Sequence, residues 1–301
     1  MLETVVPGVH AWVQPDGTWW VNNAGFVAGD GDVFVVDTCA TEARTRRFLA
    51  AVEEAAPGSP IRKAVNTHQH GDHTYGNSLL PAATVLIGHE HMREGLLTDP
   101  IIDGCPPFWE PVPDWGGVTR RVPDVAVHDR LTVHAGGARI ELLHPGGPAH
   151  TTGDLVAWLP EHGVLFAGDL VFSGLTPLVF MGSVAGALRS LDWMAALEPA
   201  HLVPGHGPLL SGGEIAATFD RLRRYYQWIL TTADEGLAAG RTPLEAARAC
   251  DLGEFAGWAD AERLVLNLHR AYAERNGTDL DLVAALIDAV TWRGGPMPTS
   301  V

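Results

Sequence analysis

A short segment crowded with metal-binding side chains constrains this chain most. Residues 68–77 read HQHGDHTYGN, so three histidines and an aspartate lie within six residues, directly after the strand-like run IRKAVNT. His68 and His70 are two residues apart and point to the same side of an extended loop, while Asp72 and His73 can face a second point. Imidazoles and carboxylates suit zinc and similar divalent ions. The segment therefore predicts a metal site in a loop at a strand end.

Three later turns carry further candidate ligands. His150 lies in GPAHTTGD, Asp169 in FAGDLV and His206 in VPGHGP, each flanked by glycine. Glycine-containing turns after or between strands can bring side chains from distant parts of a chain to one edge of a sheet. Four such loops, each delivering ligand groups, are what a site for two metal ions requires.

The rest of the chain alternates strand-like and helix-like segments. Short apolar runs bounded by turn residues predict strands through the first two thirds, among them WWVNNAGFVAG, DVFVVDT, ATVLIGH, AVHDRLTVHAGG, ARIELLHPGG, DLVAWLPEHG and VLFAGDLV. ATEARTRRFLAAVEEAA and EHMREGLL have helical character, and from about Gly212 every segment shows helical spacing of apolar residues. This pattern predicts an α/β chain on mixed sheets, followed by a helical C-terminal part.

The four motifs resemble those of the metallo-β-lactamase superfamily. HQHGDH is similar to its His-x-His-x-Asp-His signature, and HTTGD, AGD and PGHG follow in the same order. The resemblance covers approximately residues 5–210 and implies an αββα sandwich with the metals at one edge of its two sheets. It implies a catalytic domain over residues 1–211, with a C-terminal helical extension over residues 212–301 packed on it. In related enzymes such extensions often shape the substrate pocket.

The resemblance also implies a role for each ligand. The first metal takes His68, His70 and His150, the second takes Asp72, His73 and His206, and Asp169 bridges both. Asp37, which ends the strand VFVVD, resembles the aspartate that steadies the histidine loop. The implied cofactors are two zinc ions, and the same ligands also accept iron or manganese. Asp72 has a catalytic role as well, because it would orient the attacking hydroxide.

The implied function is hydrolysis by a metal-bridging hydroxide. The expected substrate is an ester, thioester or lactone of a small apolar acyl compound, and the stretch WVQPDGTWWVNNAG is similar to polyketide cyclase/thioesterases of this superfamily. Asp169 stands at the bridging position. The zinc β-lactamases lack a bridging aspartate, so penicillin cleavage is a weaker interpretation. The alternatives are a β-lactamase-type amide hydrolase, a phosphodiesterase and, in another class, a metal-binding protein without catalysis.

The charge of the chain bears on its partners. Lysine and arginine total 20 against 36 acidic residues, a formal net charge of −16. Nucleic-acid binding needs a basic surface, so we expect no nucleic-acid partner. The expected partner is a small acyl substrate, free or bound to a carrier protein. The sequence does not indicate an oligomeric state.

Residues 98–124 interrupt the regular pattern. This insert is rich in proline, contains Trp109 and Trp115, and is longer than an ordinary connection. It predicts a lid or a wall of the substrate pocket, with both tryptophans as candidate substrate contacts. A packed surface loop is the alternative.

Three further segments bear on where the protein is located and on which residues lie at its surface. Residues 170–188 carry no charge, but Pro177 and several glycines favour buried backbone near the site over a membrane span. The N-terminus has no signal-peptide pattern, and three widely spaced cysteines imply no disulfide framework, so a cytoplasmic location is the simplest expectation. GHEH, with His89 and His91, predicts a helix start on the surface.

Overall fold

The computed structural model describes residues 1–14 and 18–301, and its strands form two large sheets and one small sheet. In chain order the strands are β1 (Leu2–Val6), β2 (Val9–Trp12), β3 (Ala24–Gly29), β4 (Asp32–Val36), β5 (Ile61–Val65), β6 (Val85–His89), β7 (Trp109–Glu110), β8 (Val125–Val127), β9 (Arg130–Ala135), β10 (Ala138–Leu143), β11 (Val156–Leu159), β12 (Val164–Phe172), β13 (His201–His206), β14 (Leu210–Ser211) and β15 (Met297–Pro298). The helices are α1 (Glu42–Ala55), α2 (Gly71–Thr74), α3 (Glu90–Thr98), α4 (Val184–Ala195), α5 (Gly213–Ala238), α6 (Pro243–Ala249), α7 (Arg263–Asn276) and α8 (Leu282–Arg293).

The two large sheets are both mixed. The first has the order β1-β2-β3-β4-β5-β6-β8, antiparallel from β1 to β4 and parallel from β4 to β8. The second has the order β14-β13-β12-β11-β10-β9, in which only β12 and β13 are parallel. The small sheet pairs β15 with β7, so the C-terminal tail is attached to the insert.

Alternating side chains along the central strands build the layers. In β4, Phe34 and Val36 face a core shared with the second sheet, while Val33 and Val35 face a core that includes Phe48 of α1. Successive side chains of a strand point to opposite faces, so a strand buried on both faces reads as a continuous apolar run. The DVFVV run is such a strand.

Helices of the C-terminal half cover the outer face of the second sheet. Strand β12 contributes Leu165 to a core that also contains Leu191 of α4, Phe219 of α5 and Leu268 of α7. The predicted fold class, an αββα sandwich with a C-terminal helical region, is therefore confirmed. Helix α5 begins at Gly213, next to the predicted boundary between residues 211 and 212, although the division into two domains remains a prediction.

The structure divides one predicted strand into two. AVHDRLTVHAGG is not one strand: β8 belongs to the first sheet and β9 to the second, so the chain changes sheet between them. Both halves consist of residues that favour strands, and only pairing with different neighbouring strands separates them.

The uncharged segment, residues 170–188, contains the end of β12 and the start of α4. In the described ranges no helix is long and apolar enough to cross a membrane.

Candidate metal centre

The predicted ligands converge at one edge of the two sheets. The His68–His73 segment follows β5 and runs into α2, Asp169 lies within β12, and His206 ends β13. His150 comes from the connection between β10 and β11. The parallel pairs β4–β5 and β12–β13 place their carboxyl ends together, which is why residues far apart in sequence meet here.

The seven side chains form two adjacent groups. The first consists of His68, His70, His150 and Asp169, and the second of Asp72, His73 and His206. Within each group one ligand atom from every residue lies within 4.8 Å of the others. Each group has the residue types and the spacing needed to hold a metal ion.

Asp169 lies between the two groups. Its Oδ2 atom is 3.4 Å from Nε2 of His150 in the first group and 3.3 Å from Nε2 of His206 in the second. Asp72 faces the same point, with Oδ2 3.2 Å from His206 Nε2. A carboxylate in this position can contact ions in both groups; the bridging role of Asp169 stays a prediction.

Hydrogen bonds to the segment that follows β12 determine which ring nitrogen of His150 and of His70 can bind a metal. His150 Nδ1 lies 2.6 Å from the Leu178 carbonyl oxygen, so Nδ1 carries the proton and Nε2 is left for a metal. His70 Nε2 lies 3.3 Å from the Met181 sulfur, which leaves Nδ1 directed at the other ligands. The tautomers are therefore fixed by the partner of the second ring nitrogen.

Asp37 makes hydrogen bonds with the loop that carries His68 and His73. Its two carboxylate oxygens accept hydrogen bonds from the Thr67 amide and the Thr67 hydroxyl, both at 2.7 Å, and Oδ2 also lies 2.8 Å from His73 Nδ1. The Thr67 hydroxyl in turn is 3.1 Å from His68 Nδ1. Asp37 thus contacts one histidine directly and is linked to another through Thr67; its role in steadying the loop stays a prediction.

Two glycines make the close packing possible. A Cβ on Gly205 would lie 1.8 Å from Asp169 Oδ1, and a Cβ on Gly168 would lie 2.7 Å from the Thr67 side chain. Gly168 also has a φ of 52°, a conformation that other residues seldom adopt. The AGD and PGHG motifs therefore need glycine so that Asp169 fits between the strands.

Burial and neighbouring charges shift the pKa values of the ligands differently in the two groups. Burial lowers the pKa of His150 to about 3, so its imidazole is neutral and can bind a metal. Burial opposes protonation of His206, but the carboxylates of Asp169 and Asp72 raise its pKa to about 9. Burial also opposes ionisation of Asp72, yet His73 and His206 hold its pKa down at about 2. The carboxylate of Asp72 is therefore ionised and attracts positive charge.

Two polar atoms at the centre test whether a metal fits. His73 Nε2 and Asp169 Oδ1 are buried and form an ion-pair contact of 3.1 Å, yet neither makes a hydrogen bond among the residues that the structure describes. Buried polar atoms without a hydrogen bond cost free energy, and a divalent ion contacting both would offset that cost. With their nitrogen and carboxylate donors, these residues fit the ions that the resemblance implies.

A cavity of about 250 Å³ opens beside the ligands. His70, Asp72, Asp169 and His206 form part of its lining. Most of the remaining wall is apolar and comes from both halves of the chain, including Trp19, Trp20, Trp109, Phe172, Phe180 and Leu286. A concave apolar site with a few converging polar groups is the usual form of a small-molecule pocket.

The two predicted tryptophans occupy different places. Trp109 lines the cavity and makes an edge-on contact with Trp20, with ring centroids 5.1 Å apart. Trp115 lies behind Trp20, with ring centroids 4.8 Å apart, and its indole nitrogen donates to the Ile101 carbonyl. The insert therefore supplies a wall of the cavity, with Trp109 at its surface and Trp115 in support.

Some residues of the site were outside the sequence prediction. Thr67 stands directly before the histidine motif, and its place at a strand end next to His68 was an available signal. Leu178 had no such signal of its own, but it lies in residues 170–188, which were predicted to form buried backbone near the site, and its carbonyl contacts His150 there. GHEH does begin a helix, with His89 as the N-cap of α3 and its Nδ1 accepting from the His91 amide. The surface location predicted for His89 is wrong: the residue is 1% exposed, because its ring packs against that of His144, with centroids 4.4 Å apart.

Comparison with known proteins identifies the class. Residues 17–206 match the family model of the metallo-β-lactamase superfamily. The chain belongs to this superfamily, and its His/Asp cluster occupies the edge of the two sheets. The predicted membership of this superfamily is therefore confirmed.

Individual relatives carry more specific names. The chain is similar to 2,4-dinitroanisole O-demethylase subunit alpha of Nocardioides sp. (strain JS1661), 29% identical over 219 residues that cover 70% of this chain and 59% of that protein. It is also similar to a hydroxyacylglutathione hydrolase of Methylococcus capsulatus, 32% identical over 144 residues that cover 47% of this chain and 46% of the relative. The matched part thus spans about three fifths of the first relative and about half of the second.

A solved structure extends the similarity to the fold. A metallo-β-lactamase family protein of Thermus thermophilus aligns with a TM-score of 0.67 and 19% identity, covering 91% of this chain and 95% of that protein. At this identity the match concerns the fold alone. Because it covers most of the chain, the match includes much of the C-terminal helical region.

Proposed function

We propose that the protein is a binuclear-zinc hydrolase acting on an ester, thioester or lactone of a small apolar acyl compound. One observation carries the proposal: two adjacent ligand groups, with Asp169 between them, open into a single apolar cavity. His68, His70 and His150 would hold one ion, Asp72, His73 and His206 the other, and Asp169 both. Zinc comes first because three or four nitrogen and carboxylate ligands in each group match its preferences.

Two ions held in this way would supply an activated water molecule and positive charge beside a carbonyl oxygen. The chain itself orients the reactants. Asp72 lines the cavity, and its ionised carboxylate can accept a hydrogen bond from the attacking water and so orient it. The apolar walls exclude other water molecules and so strengthen the electrostatic interactions at the reacting carbonyl.

The cavity supports a small apolar acyl group. Its volume of about 250 Å³ exceeds the roughly 150 Å³ of an apolar protein cavity that binds benzene. An aromatic ring or a short acyl chain therefore fits. The net charge of −16 also disfavours polyanionic substrates such as nucleic acids.

The relatives support a carbonyl substrate and add a second candidate. One relative is named for hydrolysis of an acylglutathione, and a carrier-protein thioester, as in the polyketide cyclase/thioesterase branch, would present the same kind of acyl group. Another relative is named for demethylation of a nitroaryl methyl ether. The tryptophan-lined wall is suited to a flat ring, so hydrolysis of an activated aryl ether is the second candidate.

A substrate panel with defined metal content tests the proposal. We expect apolar acyl thioesters and lactones to be hydrolysed with kcat/KM at least about tenfold above matched amides, because their carbonyls are more readily attacked. Bis(p-nitrophenyl) phosphate should be a poor substrate, and chelated protein should be inactive. Preference for a nitroaryl ether would favour the second candidate. Efficient phosphodiester cleavage without acyl hydrolysis would contradict the proposal.

Substitution of the two insert tryptophans tests the cavity wall. We expect Trp109→Ala to raise KM for an apolar acyl substrate by about tenfold with little change in kcat, since the lost contact is made equally in the ground and transition states. Trp115→Ala is the matched comparison: it should cost roughly 3–5 kcal/mol of stability and change KM less. Steady-state kinetics and urea unfolding give both quantities. An equal effect of both changes on KM would contradict this assignment.

A further inference from the structure

A loop beside the metal centre contacts two ligands of the first group. Residues 176–181 follow β12 and precede α4. The Leu178 carbonyl accepts from His150 Nδ1 at 2.6 Å, and the Met181 sulfur lies 3.3 Å from His70 Nε2. The Phe180 ring stacks on the His70 ring, with centroids 5.1 Å apart and an interplanar angle of 8°. The position of this loop therefore sets the orientation of two imidazoles.

Helix α7, from the C-terminal region, holds the loop through side chains. Arg263 donates to the Thr176 carbonyl at 3.0 Å. Four residues later, Asn267 donates through Nδ2 to the Pro177 carbonyl at 2.9 Å and accepts through Oδ1 from the Val179 amide at 2.6 Å. Positions i and i+4 share one face of a helix, so both side chains reach the same stretch of backbone.

The hydrogen bond between Asn267 Oδ1 and the Val179 amide affects the position of the group that contacts His150. The Val179 N–H and the Leu178 C=O belong to the same planar trans peptide group and point in opposite directions. When Asn267 Oδ1 accepts the Val179 N–H on one side, the Leu178 oxygen is directed to the other side, where His150 Nδ1 lies. Asn267 is completely buried, and its remaining Nδ2 hydrogen is directed to the Tyr225 hydroxyl at 2.9 Å.

We propose that Asn267 is a positioning residue for the first ligand group. It aims the Leu178 carbonyl at His150 Nδ1, and this keeps His150 Nε2 directed at the point it shares with His70 and Asp169. The role rests on the proposed metal centre but adds a requirement to it: binding of the first ion depends on a side chain of the C-terminal helical region. The second group, Asp72, His73 and His206, makes no use of this loop in the contacts described above.

Stepwise zinc titration against a competing chelator tests the proposal. We expect Asn267→Ala to weaken binding of the first-group ion by about 10- to 100-fold, the loss typical when the partner of a metal-binding histidine is disturbed. Binding in the second group should stay unchanged. The imidazole NMR signals of His150 and His206 show which group fills. Tyr225→Phe is the matched control, because it removes one hydrogen bond of Asn267 without touching the loop.

A second variant and a metal-free measurement separate positioning from general stability. Asn267→Asp keeps an acceptor for the Val179 amide, so it should weaken the first ion less than Asn267→Ala and it also serves if the alanine variant does not fold. In metal-free protein, the His150 Nδ1–H signal should shift in Asn267→Ala and not in Tyr225→Phe. Wild-type-like first-group affinity in Asn267→Ala, or equal loss in Tyr225→Phe, would overturn the proposal. Failure of the wild-type protein to bind two ions would instead refute the proposed function.

Discussion

Asp169→Asn is expected to abolish simultaneous binding of two metal ions and nearly all activity. Asp169 lies within 3.4 Å of His73, His150 and His206, so its charge is central to both groups. An amide lacks the negative charge that offsets repulsion between two dications. We expect metal content to fall from two ions per chain toward one, and kcat/KM to fall by at least about 10²–10³-fold, the effect of removing one strong electrostatic group from a reaction centre.

The same substitution on the surface provides the control. Asp129 has an 82% exposed side chain, so Asp129→Asn should leave metal content and activity unchanged. The fold should persist in Asp169→Asn, because the cores on both faces of the sheets consist of apolar side chains. Elemental analysis, circular dichroism and kinetics test these points. Two ions and full activity in Asp169→Asn would show that Asp169 is not the bridging ligand.

Asp37→Asn should have the second largest effect, on metal affinity and stability together. The carboxylate accepts three hydrogen bonds from Thr67 and His73, and an amide nitrogen cannot accept the bonds made to one of its oxygens. Each buried donor left unpaired costs about 1–3 kcal/mol. Metal affinity should fall about 10- to 100-fold, because His73 loses the partner that orients it.

Asparagine is the replacement of choice for Asp37, because it removes the charge and changes the backbone conformation least. Asp37 has a φ of 60°, a conformation that asparagine adopts more readily than alanine. Thr67→Val, which removes only the hydroxyl bond, should reproduce part of the loss. Chelator competition measures the affinity and urea unfolding the stability. Unchanged metal affinity in Asp37→Asn would mean that the histidine loop is oriented without this aspartate.

The ligands were predictable from sequence because they are tied to local features. The motif HQHGDH, the AGD turn and the PGHG turn each combine ligand residues with the strand end or the glycine that their geometry needs. Asp37 could be singled out for the same kind of reason, since it follows an apolar strand. Strand β4 followed from its continuous apolar run and helices α5 to α8 from helical periodicity, and both patterns depend only on neighbouring residues.

Other features depended on contacts between distant segments. No residue pattern within AVHDRLTVHAGG indicates a division between two sheets, and β8 and β9 differ only in the strands with which they pair. Trp109 and Trp115 have the same residue type and lie in the same insert. Only packing against Trp20 distinguishes the one at the cavity from the one behind it.

The sequence by itself therefore determined the ligand types, their order and the class of fold. Tertiary structure decided what surrounds the ligands: the apolar cavity, the Leu178 carbonyl on His150, and the hold of Asn267 on that loop. The physical reason is the range of the interactions. A motif places side chains on its own strand end, whereas a backbone carbonyl in a loop or an asparagine in a helix acquires its role only when folding brings another segment within hydrogen-bond distance.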